Sequence, residues 1–95
     1  MIQDKLGAVN AAGFDIAAVC SGALFALTTA CQYIESGFYK NVMVIGADTF
    51  SNIIDWDRRD AVFFGDGAGA LLLSATEEDR GFIVFDMNTD GSGRD

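Results

Sequence analysis

Residues 15–22 read Asp-Ile-Ala-Ala-Val-Cys-Ser-Gly, and the rest of the chain is organised around this stretch. The apolar run from Phe14 to Val19 has the length and composition of one buried strand. From Ser21 onward, apolar residues recur at steps of three and four, which predicts a helix over residues 21–36. Cys20 therefore lies where a predicted strand becomes a predicted helix.

The position of Cys20 favours a reactive thiol. The first N–H groups of a helix have no intrahelical partner, and the helix dipole places about half a positive charge there. A thiol at that point should form the thiolate more readily than a free cysteine, and the same N–H groups can hold a developing oxyanion. The other interpretation is a buried structural cysteine, which is the commoner role of a free Cys. The turn alone leaves both open.

Composition limits the classes of protein that fit. A chain of 95 residues suits one small domain, and a net charge of −8 disfavours a nucleic-acid surface, which needs clustered Lys and Arg. No apolar run reaches the roughly 18 residues of a membrane-spanning helix, and the first residues do not resemble a signal peptide. Cys20 and Cys31 are too few for a disulfide framework, so we expect free thiols, no metal site and a cytoplasmic protein.

The remaining segments alternate between helical and extended patterns. Residues 2–9 have the spacing of a helix end, and Gly37 stands where a helix C′ glycine is expected. Apolar runs predict strands at residues 41–47, 70–74 and 81–87. The first predicted strand, the helix and the second strand, in this order, predict a right-handed parallel crossover.

Two polar segments have both a functional and a plain interpretation. Residues 65–70 read Gly-Asp-Gly-Ala-Gly-Ala, which fits a dinucleotide-binding pattern, but residues 71–73 lead into an acidic turn and leave no room for the required helix. We interpret the glycines as allowing close backbone approach in a packed sheet, and Asp66 as the anchor of a local turn. Arg58 and Arg59 suit either a solvated turn or phosphate binding.

Three motifs resemble the core motifs of the β-ketoacyl-acyl carrier protein synthase III family. They lie at residues 14–22, 44–48 and 64–70, in order and at matching spacing, and residues 90–92 fit the region that follows. The resemblance covers nearly all of the chain. It implies an α/β, thiolase-like fold, an αβαβα sandwich of two similar halves with a mixed sheet. Residues 1–95 would form part of the N-terminal domain, with the C-terminal half absent.

The resemblance also implies an activity. Family members start fatty-acid synthesis as acyltransferases: a cysteine takes an acyl group from acyl-CoA and condenses it with malonyl-acyl carrier protein. Covalent catalysis of this kind splits acyl transfer into two easier steps. Cys20 matches the acylated residue, and its N–H matches half of the oxyanion hole. The resemblance further implies a homodimer, and coenzyme A thioester as substrate with no cofactor. From the net charge and the lack of a long apolar run we expect no nucleic-acid partner and no membrane insertion.

Substrate-binding residues follow from the same resemblance. In the family, an arginine in the loop that here contains Trp56 contacts coenzyme A. Counting forward from Trp56 favours Arg59, whereas counting back from Phe64 favours Arg58, and we prefer Arg59. Phe50 and Phe64 fall where the family lines its acyl tunnel, and the bulk of Phe50 favours a short acyl group.

The chain also departs from the family pattern. The other catalytic residues of the family are a His and an Asn in the second half, and this chain has no histidine. We therefore expect it not to complete a condensation alone. Two alternatives stay open: a sister thiolase-fold enzyme of the polyketide, quinolone or hydroxymethylglutaryl-CoA synthase type, or a non-catalytic dimerisation module. Cys20 argues against the module, which has no need of a thiol at a helix start.

Overall fold

A computed structural model describes residues 2–93. The helices are α1 (Ile2–Lys5) and α2 (Gly22–Glu35), and the strands are β1 (Asn41–Thr49) and β2 (Asp66–Ser74). Three short 3₁₀ helices cover Val19–Ser21, Phe50–Asn52 and Arg59–Phe63. The predicted helix after Cys20 is confirmed, as are the strands predicted at residues 41–47 and 70–74, although β2 begins four residues earlier than expected.

Helix α2 ends as its sequence predicts. Gly37 adopts φ +75°, a left-handed conformation that glycine reaches without steric cost. Its N–H donates to the carbonyl of Ile34 at 3.0 Å, and the N–H of Phe38 donates to the carbonyl of Tyr33 at 3.0 Å. These two bonds satisfy carbonyls that the end of the helix leaves without partners. The chain is thereby turned back into β1.

Strands β1 and β2 form an antiparallel pair in which Val44 faces Leu71 and Gly46 faces Gly69. Helix α2 packs mainly on β1, and the hydrophobic residues buried in the described structure are Ala30, Cys31 and Val44. Successive side chains of a strand point to opposite faces, so the next residues along face away from the helix. These residues form what we call the open sheet face: Met43, Ile45 and Leu72, which are 47%, 38% and 66% exposed.

Three predicted elements are wrong for the described structure. Residues 14–19 and 81–87 are not strands, and Val19 belongs to a 3₁₀ helix. The helix expected over residues 2–9 is a single turn, and it ends before Gly7, which has φ +65°. A strand needs a neighbour to exchange backbone hydrogen bonds, and within residues 2–93 neither apolar run has one. The parallel crossover is therefore absent from this range. The antiparallel pair is the part of the mixed sheet that these residues contain.

The glycine-rich segment opens β2 instead of a helix, which removes the dinucleotide interpretation. The close-approach explanation for its glycines is also wrong for the described residues, because a Cβ added at Gly65, Gly67 or Gly69 would meet no atom of residues 2–93 within 4 Å. Asp66 does not anchor a local turn either. It binds Ser51, which lies 15 residues earlier in the chain.

Candidate active site

Cys20 lies in a strained turn immediately before α2. Val19, the residue before it, has φ +48°, a conformation that costs a β-branched residue on the order of 1–3 kcal/mol. The N–H of Ser21 donates to the carbonyl of Ala18 at 3.0 Å, and the N–H of Gly22 donates to that of Val19. Within residues 2–93, the N–H of Cys20 donates no hydrogen bond to the backbone. The turn thus presents both a thiol and a spare donor.

The two cysteines have different surroundings. Both are free thiols, as predicted, but Cys20 is exposed whereas Cys31 is only 7% exposed beneath β1. Burial raises the pKa of the Cys31 thiol, and the nearby Glu35 carboxylate raises it further. Cys31 therefore remains a protonated core residue, which leaves Cys20 as the accessible nucleophile candidate.

The loop between the strands brings together two aromatic residues of the predicted site. The rings of Phe50 and Phe64 lie 5.0 Å apart between centroids, tilted by 34°. They border a cleft of about 280 Å³. The residues lining this cleft are Phe50, Ile53, Ile54, Asp55, Arg58, Asp60, Ala61 and Phe64. Cys20, Trp56 and Arg59 are not among them, so the structure groups only part of the predicted site.

The two loop arginines differ in their partners. Arg58 forms a bidentate pair with Asp60, with Nε–Oδ1 at 3.0 Å and Nη2–Oδ2 at 2.7 Å. Arg59 is exposed and forms no ion pair or side-chain hydrogen bond with any residue from 2 to 93. Trp56 is 68% exposed in the same loop. The guanidinium of Arg59 is therefore the more available one, and its contact with coenzyme A stays a prediction.

A contact that the sequence did not reveal joins the two ends of this loop. Asp66 accepts hydrogen bonds from the Ser51 N–H at 2.8 Å and from the Ser51 hydroxyl at 2.5 Å. These bonds, the hydroxyl one foremost, lower the pKa of the Asp66 carboxyl. The pairing of Thr49 with Asp66 at the end of the sheet brings the two residues together. Because that register is not visible in local spacing, no sequence signal pointed to Ser51.

Neither a metal cluster nor a membrane-spanning helix occurs in the part of the chain that the structure describes. No set of three or more His, Cys, Asp or Glu side chains within residues 2–93 is placed to hold a metal ion. Over the same residues, neither α-helix has the length and apolar character needed to cross a membrane.

Nearly the whole length of this chain is similar to part of several curated proteins. The family model for 3-oxoacyl-[acyl-carrier-protein (ACP)] synthase III matches residues 14–91. A β-ketoacyl-[acyl-carrier-protein] synthase III from Listeria welshimeri is 52% identical over 94 residues, which is 98% of this chain and 30% of the relative. One from Prochlorococcus marinus (strain MIT 9312) is 57% identical over 91 residues, 95% of this chain and 27% of the relative. The chain thus spans about three tenths of the length of such relatives.

Solved structures agree with this relationship. A β-ketoacyl-[acyl carrier protein] synthase III from Thermus thermophilus superposes with a TM-score of 0.89 at 40% identity, covering 97% of this chain and 29% of that one. A 3-oxoacyl-[acyl-carrier-protein] synthase III from Aquifex aeolicus gives 0.77 at 45% identity, covering 81% and 25%. The predicted thiolase-like α/β fold class is confirmed. By family model, by curated relatives and by structure, the chain belongs to the 3-oxoacyl-[acyl-carrier-protein] synthase III family.

Proposed function

We propose that this chain supplies the nucleophile of an acyltransferase that starts fatty-acid synthesis by condensing an acyl-CoA with malonyl-acyl carrier protein. The observation that carries the proposal is Cys20, an exposed thiol at a strained turn that leads directly into α2. Strain at a single non-glycine residue is typical of functional sites, where the surrounding structure holds a reactive group in place. Membership of the synthase III family supports acyl transfer as the reaction of this thiol.

The first step is transfer of the acyl group to sulfur. The Cys20 thiolate attacks the thioester carbonyl, a C–S bond forms, and the C–S bond to coenzyme A breaks as its thiolate leaves and takes up a proton. The carbonyl oxygen carries negative charge in between. The Cys20 N–H, which has no backbone acceptor within residues 2–93, is one donor for that oxyanion.

The second step forms the new carbon–carbon bond. Malonyl-acyl carrier protein loses carbon dioxide, and the resulting carbanion attacks the acyl-Cys20 carbonyl and releases the Cys20 thiolate. The family's His and Asn promote this step, and this chain has no histidine. We therefore assign the His to a residue outside this 95-residue segment and, by resemblance to the family, the Asn as well.

Substrate binding is assigned to the loop between β1 and β2. The exposed guanidinium of Arg59 binds a phosphate of coenzyme A beside Trp56, because guanidinium groups hold phosphate oxygens in a bidentate way. Arg58 is already paired with Asp60 and serves to shape the loop. Phe50 and Phe64 close one wall around a short acyl chain. A cytoplasmic homodimer completes the proposal, by resemblance to the family.

The test is acylation of the thiol. The full-length gene product is incubated with acetyl-CoA, and intact mass and peptide mapping locate the added acetyl group. We expect it on Cys20, lost in Cys20→Ala and retained in the matched control Cys31→Ala. Adding malonyl-acyl carrier protein then tests for a ketoacyl product. Acylation elsewhere would reject Cys20 as the nucleophile. A folded protein that takes up no acyl group from acetyl-CoA or from longer acyl-CoA thioesters would favour a dimerisation module.

A further inference from the structure

A double hydrogen bond joins the turn after β1 to the first residue of β2. Ser51 donates both its N–H and its hydroxyl to the two carboxylate oxygens of Asp66, and we call this pair of bonds the Ser51–Asp66 clamp. The ladder between the strands ends at the pairing of Thr49 with Asp66. The clamp therefore continues the connection between the strands beyond the point where backbone pairing stops.

The clamp lies next to the two aromatic rings of the cleft. Phe50 is the residue immediately before Ser51, and Phe64 is two residues before Asp66. Both phenylalanines lie just outside the ladder, so no strand pairing fixes the distance between them. Their rings nevertheless pack at 5.0 Å and border the 280 Å³ cleft. Besides the ring contact itself, the clamp is the side-chain hydrogen-bonded connection between their two segments within residues 2–93.

We infer that Asp66 is a positioning residue: through Ser51 it holds Phe50 against Phe64 and so limits the length of acyl chain that the cleft accepts. The inference rests on the proposed function, since it names the specificity of that same site. Asp66 acts through Ser51 and needs no contact with the substrate. Like any aspartate, Asp66 is ionised at neutral pH, so both carboxylate oxygens can accept from Ser51, and these bonds lower its pKa further.

The experiment compares acyl chains of increasing length in the full-length gene product. Rates of Cys20 acylation are measured with acetyl-, butyryl-, hexanoyl- and octanoyl-CoA. We expect Asp66→Asn and Ser51→Ala to raise the hexanoyl-to-acetyl rate ratio about tenfold, the effect of one lost hydrogen bond. The double variant should match the single ones, because each single variant already removes the bond between the Ser51 hydroxyl and the Asp66 carboxylate. Ser51→Thr, which keeps the hydroxyl, should restore the original ratio.

A matched control exists at the other end of the same ladder. Ser74 donates its hydroxyl to the Asn41 side chain at 2.6 Å, which also joins β1 to β2 but lies away from the cleft. Ser74→Ala should lower stability without changing the acyl-length ratio. Equal ratios in Asp66→Asn, Ser74→Ala and the parent protein would overturn the inference. If Asp66→Asn does not fold, Ser51→Ala decides, since it keeps the backbone bond.

A second measurement separates this inference from the proposed function. Proton NMR contacts between the Phe50 and Phe64 rings should be present in the parent protein and in Ser74→Ala, and weakened in Asp66→Asn. A parent protein that is never acylated would overturn the proposed function and the acyl-length claim with it. Ring contacts unchanged in Asp66→Asn would overturn the positioning role, whatever the acylation result.

Discussion

Limited alkylation should distinguish the two thiols of this chain. At pH 7 we expect iodoacetamide to modify Cys20 well before Cys31. Cys20 is exposed at the turn before α2, whereas Cys31 is 7% exposed between α2 and β1. Only the thiolate reacts, and burial together with the Glu35 carboxylate raises the pKa of Cys31. Both the low exposure of Cys31 and its raised pKa therefore slow its alkylation.

The expected ratio of the two alkylation rates follows from the part of the core that must open before Cys31 can react. Cys31 becomes accessible only when α2 separates from β1, which also exposes Val44, now 8% exposed. Exposing one valine side chain costs about 1.5–3 kcal/mol. That free energy corresponds to a rate roughly ten- to a hundred-fold lower for Cys31, since about 1.4 kcal/mol is a factor of ten. The raised pKa of Cys31 adds to this factor.

The pH dependence of the labelling has a definite sign. A thiol whose pKa is higher in the folded state stabilises the fold below the unfolded pKa, near 8.5, and that stabilisation is lost as the pH rises through the folded pKa. The rate of Cys31 labelling should therefore rise as the pH passes through the raised pKa of Cys31, because its thiolate forms and the folded state loses this stabilisation. Below the raised pKa, Cys31 stays mainly protonated and reacts slowly.

The assay is timed quenching of the full-length gene product followed by peptide mapping. The matched variants Cys20→Ala and Cys31→Ala each leave one thiol, so each rate is measured without competition. Denatured protein provides the reference in which both cysteines react alike. Equal rates in the folded protein, or faster labelling of Cys31, would refute the reasoning.

Three further outcomes are expected. Arg59→Ala should lower kcat/KM for acyl-CoA about ten- to a hundred-fold, which is the effect of a lost charged hydrogen bond. The loss should be larger than in Arg58→Ala. A larger loss in Arg58→Ala would mean that the pair of Arg58 with Asp60 opens to bind substrate. Gly37→Ala should destabilise the protein by about 1–2 kcal/mol in urea unfolding, because φ +75° is strained for any residue with a Cβ. The control is Gly91→Ala, at an open position without such a φ, and equal effects would exclude the strain explanation. The 95-residue chain expressed alone should self-associate through the open sheet face, as seen by light scattering, and should form no ketoacyl product. A monomer that melts cooperatively would contradict the expected self-association, and formation of a ketoacyl product would contradict the expected inactivity.

The local sequence pattern was sufficient to predict those elements that local interactions stabilise. Helix α2 follows from apolar residues at steps of three and four, and its end from Gly37, which takes the left-handed conformation expected of a C′ glycine. The continuous apolar run at residues 42–45 marked β1. Family motifs around Cys20 located the nucleophile candidate, and both cysteines are free as their number suggested.

Where strands pair was not visible in local pattern. Residues 14–18 and 81–87 are as apolar as β1, yet neither is a strand, because no neighbour exchanges hydrogen bonds with them within residues 2–93. Strand pairing depends on which other segment lies alongside. Composition and spacing within a run do not contain that information.

The details of the candidate site depended on tertiary structure for the same reason. The φ of Val19 reflects the junction between two segments, and nothing in its β-branched side chain suggests it. Arg58 and Arg59 are neighbours in sequence, but only the geometry pairs Arg58 with Asp60. Asp66 reaches Ser51 because the antiparallel register places Thr49 opposite it. The sequence alone was enough for helix α2, for the family motifs and for naming Cys20 as the candidate nucleophile. The contacts that shape the cleft arise from strand register, which is a property of two distant segments together.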